Sequence, residues 1–189
     1  MRKTFLAILL VAASGAAVAA DKYTFEPTHS QVNFSYMHLG LSTQTQQLRT
    51  VTGTLLLDAE DLTKSSVDVT IDMNSIDTGV AKFDDHIKSA DFFDTAKFPT
   101  ATFKSTTVAA AGEGKLKVTG DLTLRGVTKP VVLDVTVNKI GEHPMAKKPA
   151  AGFNATTKVL RSDFGLGGYV PAVGDEVSIS IASEFLRAE

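Results

Sequence analysis

The chain has 189 residues, no cysteine and a formal net charge of −2 at neutral pH. A chain of this length can bury one substantial hydrophobic core. The lack of cysteine excludes disulfides, thiolate nucleophiles and cysteine-ligated metals. The mildly acidic balance is unsuited to a nucleic-acid-binding surface.

The first twenty residues have the three regions of a cleavable signal peptide. Arg2 and Lys3 precede the apolar run Phe5–Val11, and a stretch of small residues ends at Ala17–Ala20. The apolar run is shorter than the ~20 residues that a membrane-spanning helix needs. We therefore expect residues 1–20 to direct export to the periplasm, with no stable membrane insertion after cleavage. Removing this segment takes away two of the 19 basic residues and no acidic residue, which leaves a net charge of −4.

Alternation of apolar and polar residues recurs along residues 21–189 and predicts a series of β-strands. In the run Val118–Val137, apolar residues share one parity on each side of a break at Arg125–Pro130. Similar alternation marks residues 32–38, 67–73, 101–103, 153–159 and 177–181, and Tyr23–Phe25 and Val51–Leu57 also resemble strands. Eight or nine short strands separated by turns predict an antiparallel barrel or sandwich.

One segment departs from this alternation. Phe83 and Ile87 lie four residues apart among charged residues, so Ala81–Ser89 is predicted to be a short helix that covers part of the sheet. Gly141–Gly152 is predicted to be a polar loop, and Gly165–Gly168 a flexible loop near the barrel mouth. No linker or internal repeat is visible, so residues 21–189 are expected to form one domain.

The residues suggest neither a catalytic set nor a metal site. The four histidines lack the His-x-His or His-x-x-x-His spacing of metal ligands, so hydrogen-bonding or surface roles are expected for them. Neighbouring residues on a helix point to different sides, so Asp84–His86 cannot converge on one substrate. Neither a Gly-x-Ser-x-Gly elbow nor a phosphate-loop ending is present. His38 differs from the other histidines because it shares the apolar parity of Phe34 and Tyr36.

Five motifs follow one another along residues 21–189. They are Thr28–Gly40, which reads Thr-His-Ser-x-Val-x-Phe-x-x-x-His-Leu-Gly, then Asn74–Gly79, Asp85–Phe93, Phe98–Thr106 and Gly120–Pro130. Together they resemble the motifs of the YceI-like family of periplasmic polyisoprenoid-binding proteins. Each motif alone is weak, but five in order at the expected separations are specific. The resemblance implies an all-β fold with one short helix, an extended lipocalin-like eight-stranded antiparallel β-barrel.

The resemblance also implies an elongated apolar cavity that holds an isoprenoid, a quinone or a similar long-chain amphiphile. With the parity of the strands, it gives the expected ligand-binding residues: Phe34, Tyr36, His38, Val69, Ile71, Phe103, Leu122, Leu124, Val135 and Phe153. For His38 we expect a hydrogen bond to a polar group or to a ligand head group, and no metal. After Leu41–Thr43 the family has an apolar residue, a glycine and an aromatic, whereas this chain has Gln44–Thr50, which changes the polarity of that wall.

The leading hypothesis is a periplasmic protein that binds, carries or sequesters such a lipid, without enzymatic activity and without a cofactor. Two alternatives remain open: an enzyme that acts on such a lipid with His38 as acid or base, and a structural or stress-response protein with a filled barrel. A monomer and a homodimer both remain open.

Overall fold

The computed structural model describes residues 20–189, so the predicted signal peptide lies outside the described residues except for Ala20. It contains one α-helix, α1 (Ala81–Lys88), and three short 3₁₀ helices (Leu62–Lys64, Met73–Ser75 and Arg161–Phe164). The ten strands are β1 (Asp21–His38), β2 (Ser42–Leu48), β3 (Val51–Leu57), β4 (Ser66–Asp72), β5 (Ile76–Asp77), β6 (Thr100–Ala110), β7 (Lys115–Leu124), β8 (Val127–Glu142), β9 (Pro149–Leu160) and β10 (Glu176–Arg187).

The strands form one closed antiparallel barrel. Their order is β10-β9-β8-β7-β6-β4-β3-β1-β2-β5, and β10 also pairs with β1. Because β2 pairs with the C-terminal half of β1 and β3 with its first four residues, β2 and β3 occupy a single position in the barrel. The short β5 pairs only with β2. The barrel therefore has eight strand positions, which confirms the predicted fold.

Strand β1 is longer than its sequence pattern predicts, because the predicted strands at residues 23–25 and 32–38 are joined. Its pairing with β10 shifts register between Glu26 and Gln31. The Glu26 carboxylate accepts hydrogen bonds from the backbone N–H groups of Thr28 (3.0 Å) and His29 (2.8 Å). These bonds satisfy backbone donors that the irregular segment removes from the ladder.

The predicted break at Arg125–Pro130 is only a two-residue turn between β7 and β8. Arg125 and Gly126 both have positive φ (50° and 75°), as a two-residue hairpin of matching twist requires. Pro130 lies inside β8, contrary to the prediction. It is tolerated because β8 pairs with β9 only from Asp134 onward, so no neighbour on that side needs its missing N–H.

The predicted polar loop at Gly141–Gly152 is also shorter than expected. Strand β8 continues to Glu142 and β9 begins at Pro149, so only residues 143–148 connect them. Within this connection the His143 ring accepts a hydrogen bond from the backbone N–H of Ala146 at 3.0 Å.

Helix α1 forms where the spacing of Phe83 and Ile87 predicts it. Ile87 is buried, and Phe83 packs against the same hydrophobic cluster. The Asp84 carboxylate accepts hydrogen bonds from the backbone N–H and the hydroxyl of Thr78, both at 2.7 Å, and these bonds lower the pKa of Asp84. The helix is thereby fixed against the end of the barrel. Within residues 20–189, no helix combines the length and the apolar character needed to cross a bilayer.

Candidate ligand cavity

The inward faces of the strands enclose a cavity of about 510 Å³. Because side chains alternate across each strand, every position of the barrel contributes one set of residues to this wall. The wall is formed almost entirely by aliphatic and aromatic side chains. Its volume lies in the range of about 300–1,000 Å³ that is typical of sites for small organic ligands.

All ten residues predicted from the sequence to bind ligand line this cavity: Phe34, Tyr36, His38, Val69, Ile71, Phe103, Leu122, Leu124, Val135 and Phe153. Residues of the same parity that lie between or beside them, such as Val118 and Val131, also line it. Val137 has the same parity as Val135 but does not belong to the wall, and it lies just beyond the last pair of the β7–β8 ladder, Lys115 with Thr136.

Two loops and helix α1 cover one end of the barrel, which we call the capped end. Phe83 and Ile87 of α1 line the cavity there, together with Phe92 and Phe93 of the following loop. The Phe92 ring stacks on Tyr169 of the loop between β9 and β10, with ring centroids 6.0 Å apart. Apolar contacts therefore join both loops to the helix.

Arg125 connects the same two loops through hydrogen bonds. Its Nη1 donates to the carbonyl of Gly165, and its Nη2 donates to the carbonyl of Ala90, each at 3.1 Å. The segment Gly165–Gly168 was expected to be a flexible loop. Instead it is held in place, and Leu166 within it is buried.

A second arginine, Arg161, holds the loop between β9 and β10 from within. Its side chain is 9% exposed and lies in the cavity wall. Its Nε donates to the Gly174 carbonyl (2.9 Å), its Nη2 to the carbonyls of Gly168 (2.7 Å) and Val173 (2.9 Å), and its Nη1 to that of Leu166. Burial lowers the pKa of Arg161, although an arginine remains charged in proteins.

Tyr36 and Gln46 form a polar pair beside this arginine. Burial raises the pKa of the Tyr36 phenol, while contact with the Gln46 side chain and the charge of Arg161 oppose that rise. Gln46 is 3% exposed because its strand places it opposite Phe34, on the inner face. Its amide oxygen has no hydrogen-bond partner. The departure noted at Gln44–Thr50 therefore puts a buried amide into the barrel wall.

Two histidines lie in the wall at the capped end. His86 is exposed, in agreement with the hydrogen-bonding or surface role expected for it, and its ring, which also lines the cavity, lies 4.8 Å from that of Phe92, centroid to centroid. His38 lines the cavity too, and its backbone forms an isolated bridge with Val173. Within residues 20–189, the His38 ring makes no hydrogen bond to a protein group, so a bond to a ligand head group remains the prediction.

The cavity opens beside the capped end. Leu39 and Tyr169 both line it, yet they are 52% and 65% exposed.

Elsewhere, Glu26, His29 and Glu184 bring three potential metal-ligand atoms within 4.8 Å of one another. The hydrogen bonds from Thr28 and His29 already occupy the Glu26 carboxylate.

The sequence reasoning missed Arg161 and His86 as residues near the cavity, and it named the stretch Gln44–Thr50 without singling out Gln46. A signal for Arg161 was present, because it continues the odd-numbered inward series that includes Phe153, Ala155 and Val159. Gln46 could be placed only by the register of β2 against β1, which periodicity does not provide.

Comparison with known proteins agrees with this architecture. The model of the YceI-like domain matches residues 23–185. The protein YceI of Escherichia coli O157:H7 is 40% identical over 188 residues, which is 97% of each chain. The protein YceI of Salmonella arizonae is 39% identical with the same coverage.

Solved structures show the same barrel. BcnA of Burkholderia cenocepacia superposes with a TM-score of 0.74 at 28% identity, over 82% of this chain and 95% of its own. A polyisoprenoid-binding domain from Saccharophagus degradans superposes with a TM-score of 0.67 at 16% identity, over 88% and 98%. The family match, the identity over nearly the full length and the common barrel lead to one conclusion: the chain belongs to the YceI-like family.

Proposed function

We propose that this protein binds a long-chain isoprenoid or a similar amphiphile inside the barrel and carries or sequesters it. The observation that carries this proposal is the cavity of about 510 Å³, enclosed by a closed barrel and lined almost wholly by apolar side chains. A quinone with an isoprenoid tail is one ligand of this class. The structurally similar domain from Saccharophagus degradans is a polyisoprenoid-binding domain, which agrees with the proposal.

The energetics of such a wall favour a hydrocarbon chain over a polar metabolite. Each methylene removed from water contributes about 0.8 kcal/mol, so ten contribute roughly 8 kcal/mol before ordering costs are subtracted. A neutral hydrogen bond to a head group adds only about 1 kcal/mol. Affinity therefore comes mainly from the tail, and binding requires no catalytic residues.

The proposal is tested by extracting the protein, purified under native conditions, with organic solvent and analysing the extract by mass spectrometry. We expect a long-chain lipid at close to one molecule per protein. Delipidated protein should also take up retinol, an isoprenoid alcohol whose fluorescence rises in apolar surroundings. If neither bound lipid nor retinol uptake is found, the cavity does not serve lipid binding and the filled-barrel alternative is favoured.

The same extract distinguishes carriage from catalysis. We propose a binding protein, so prolonged incubation with the identified lipid should return that lipid unchanged. Formation of a new product that is lost in His38→Ala would instead support the enzyme alternative.

We further propose that the protein acts in the periplasm after cleavage behind Ala20. The support for this is the three-region pattern of residues 1–20. Cell fractionation and N-terminal sequencing test it, and the expected first residue is Asp21. A protein that keeps Met1 and stays in the cytoplasm would contradict it.

A further inference from the structure

The cavity wall has one full charge at neutral pH. Among the wall residues in the described part of the chain, Arg161 is the single lysine, arginine, aspartate or glutamate. It lies at the capped end with Tyr36 and His38. The Val173 segment brings them together, because Arg161 donates to the Val173 carbonyl and His38 forms a bridge with the same residue. We call Tyr36, His38 and Arg161 the polar end of the cavity.

Among the residues that the structure describes, the side chain of Arg161 bonds to backbone carbonyls and to no carboxylate. A guanidinium has five N–H groups, and four of them donate to backbone carbonyls, so one N–H on Nη1 is unused by the protein. Within residues 20–189, no carboxylate oxygen lies within 4.0 Å of Arg161. Asp175 is the acidic residue whose charge acts on it from outside contact distance, and the Asp175 carboxylate is held by hydrogen bonds from the backbone N–H (2.9 Å) and hydroxyl (2.7 Å) of Ser162.

Tyr36 supplies a second donor. The pKa of its phenol is raised, mainly by burial, so the O–H keeps its proton at neutral pH. Tyr36 lines the cavity, whereas Gln46, whose side chain contacts the Tyr36 phenol, is not among the wall residues. The unused N–H of Arg161 and the Tyr36 O–H are therefore the donors that the polar end can offer to a ligand oxygen.

The opposite end of the cavity has a different character. Phe103, Val118, Val135 and Ala155 form a buried cluster there, with Leu116 packed against it. Of the hydroxyls elsewhere in the wall, that of Thr157 donates to the Val132 carbonyl at 2.8 Å, and that of Ser65 accepts from the backbone N–H of Asp58 at 3.0 Å. A hydrocarbon chain fits this end, because the residues of this cluster are all apolar.

We propose that the polar end holds the ligand's head group through a hydrogen-bond-accepting oxygen, and that the tail extends toward Leu116. This inference rests on the proposed function and adds the class of head group. A buried cation that no carboxylate contacts favours an oxygen that is neutral or negatively charged, and it disfavours a cationic head group. The expected ligands are therefore amphiphiles with a carbonyl, hydroxyl or acidic head group.

The test uses three amphiphiles with the same tail: oleate, oleyl alcohol and oleylamine. Each displaces retinol from delipidated full-length protein at neutral pH, below the concentration at which it forms micelles. We expect oleate to bind at least about tenfold more tightly than oleylamine, with oleyl alcohol between them. Equal affinity for all three, or tightest binding of oleylamine, would overturn the head-group assignment.

Variants identify the residues responsible. Tyr36→Phe removes one hydroxyl from the polar end and should weaken oleate binding by about three- to tenfold. Tyr23→Phe is the matched control, because Tyr23 is a buried tyrosine of the same strand that does not line the cavity, and it should leave affinity unchanged. Equal effects of the two substitutions would argue against the assignment.

Arg161 is tested with Arg161→Lys, because Arg161→Met would also remove the donors that hold the loop. Because the lysine keeps the positive charge, the preference for oleate over oleylamine should persist in Arg161→Lys. A folded Arg161→Lys protein that has lost this preference would contradict the role of the charge. If wild-type protein binds retinol but does not distinguish the three head groups, the head-group inference fails and the proposed function stands. If it binds no amphiphile, both fail.

Discussion

A pair of adjacent substitutions on β7 tests whether the inward face of this strand contacts the ligand. Leu124 lines the cavity, whereas Thr123 does not, and the Thr123 hydroxyl lies 2.8 Å from that of Thr128 on β8. Leu124→Asp places a carboxyl group against apolar walls. Thr123→Asp leaves the new carboxylate in water, where it can still accept a hydrogen bond from Thr128.

The expected loss of affinity follows from the cost of neutralising the new carboxyl group. Neutral pH lies roughly three units above the ordinary pKa of aspartate, and each unit corresponds to about 1.4 kcal/mol. A ligand tail that excludes water from Asp at position 124 must therefore overcome up to about 4 kcal/mol, or roughly 1,000-fold in Kd. Losing the leucine contact costs about 1.5–3 kcal/mol of stability. Thr123→Asp should change stability by no more than about 0.5 kcal/mol.

Retinol titration is a suitable assay, because the retinol head group does not ionise near neutral pH. Thermal unfolding monitored by circular dichroism checks that both variants are folded. Acidification toward the ordinary aspartate pKa should restore much of the affinity of Leu124→Asp, because the carboxyl group is then protonated at little cost. If the two folded variants retain retinol equally, or if Leu124→Asp shows no recovery in acid, the inward face of β7 does not contact the ligand.

Two further predictions concern the wall and the bend of β1. An added Cβ at Gly120 would lie 2.4 Å from the Phe103 ring and 2.6 Å from the Lys104 carbonyl. Gly120→Ala should therefore lower the free energy of unfolding in urea by about 1–3 kcal/mol and weaken retinol binding. Gly152→Ala is the control, because no atom of the described residues lies near its added Cβ, and equal effects of the two substitutions would contradict this packing. Burial raises the pKa of Glu26, but hydrogen bonds from Thr28 and His29 outweigh it and hold the pKa at about 2, below the ordinary 4.5. The ionised carboxylate therefore stabilises the fold above pH 4.5, and this contribution is lost as the pH falls toward 2. The loss of stability caused by Glu26→Gln should be largest at neutral pH and should shrink in acid. A loss of stability that does not depend on pH would refute the assignment.

Much of the barrel could be predicted from the sequence, because a strand with one solvent-facing side and one buried side has apolar residues at every second position. That signal located the inward residues of β6, β7 and β9, and the spacing of Phe83 and Ile87 located α1. It could not show that β1 is continuous, because the hydrogen bonds of Glu26 replace the ladder where the alternation stops. Nor could it place Gln46, whose position depends on pairing between strands. Arg161 was missed because a charged residue is not expected on the buried side of a strand. Its hydrogen bonds to backbone carbonyls of the loop between β9 and β10 are visible only in the structure.

The pairing of β1 with β10 has a consequence for how the cavity comes into existence. Tyr23 lies opposite Arg187, and Ser35 lies opposite Ser178, so the barrel closes through contacts between the two ends of the domain. Before that step the sheet has two free edges and encloses nothing. Contacts so distant in sequence form slowly. Lipid should therefore be acquired only after the last strand has docked, and a bound lipid, by favouring the closed barrel, should slow its reopening.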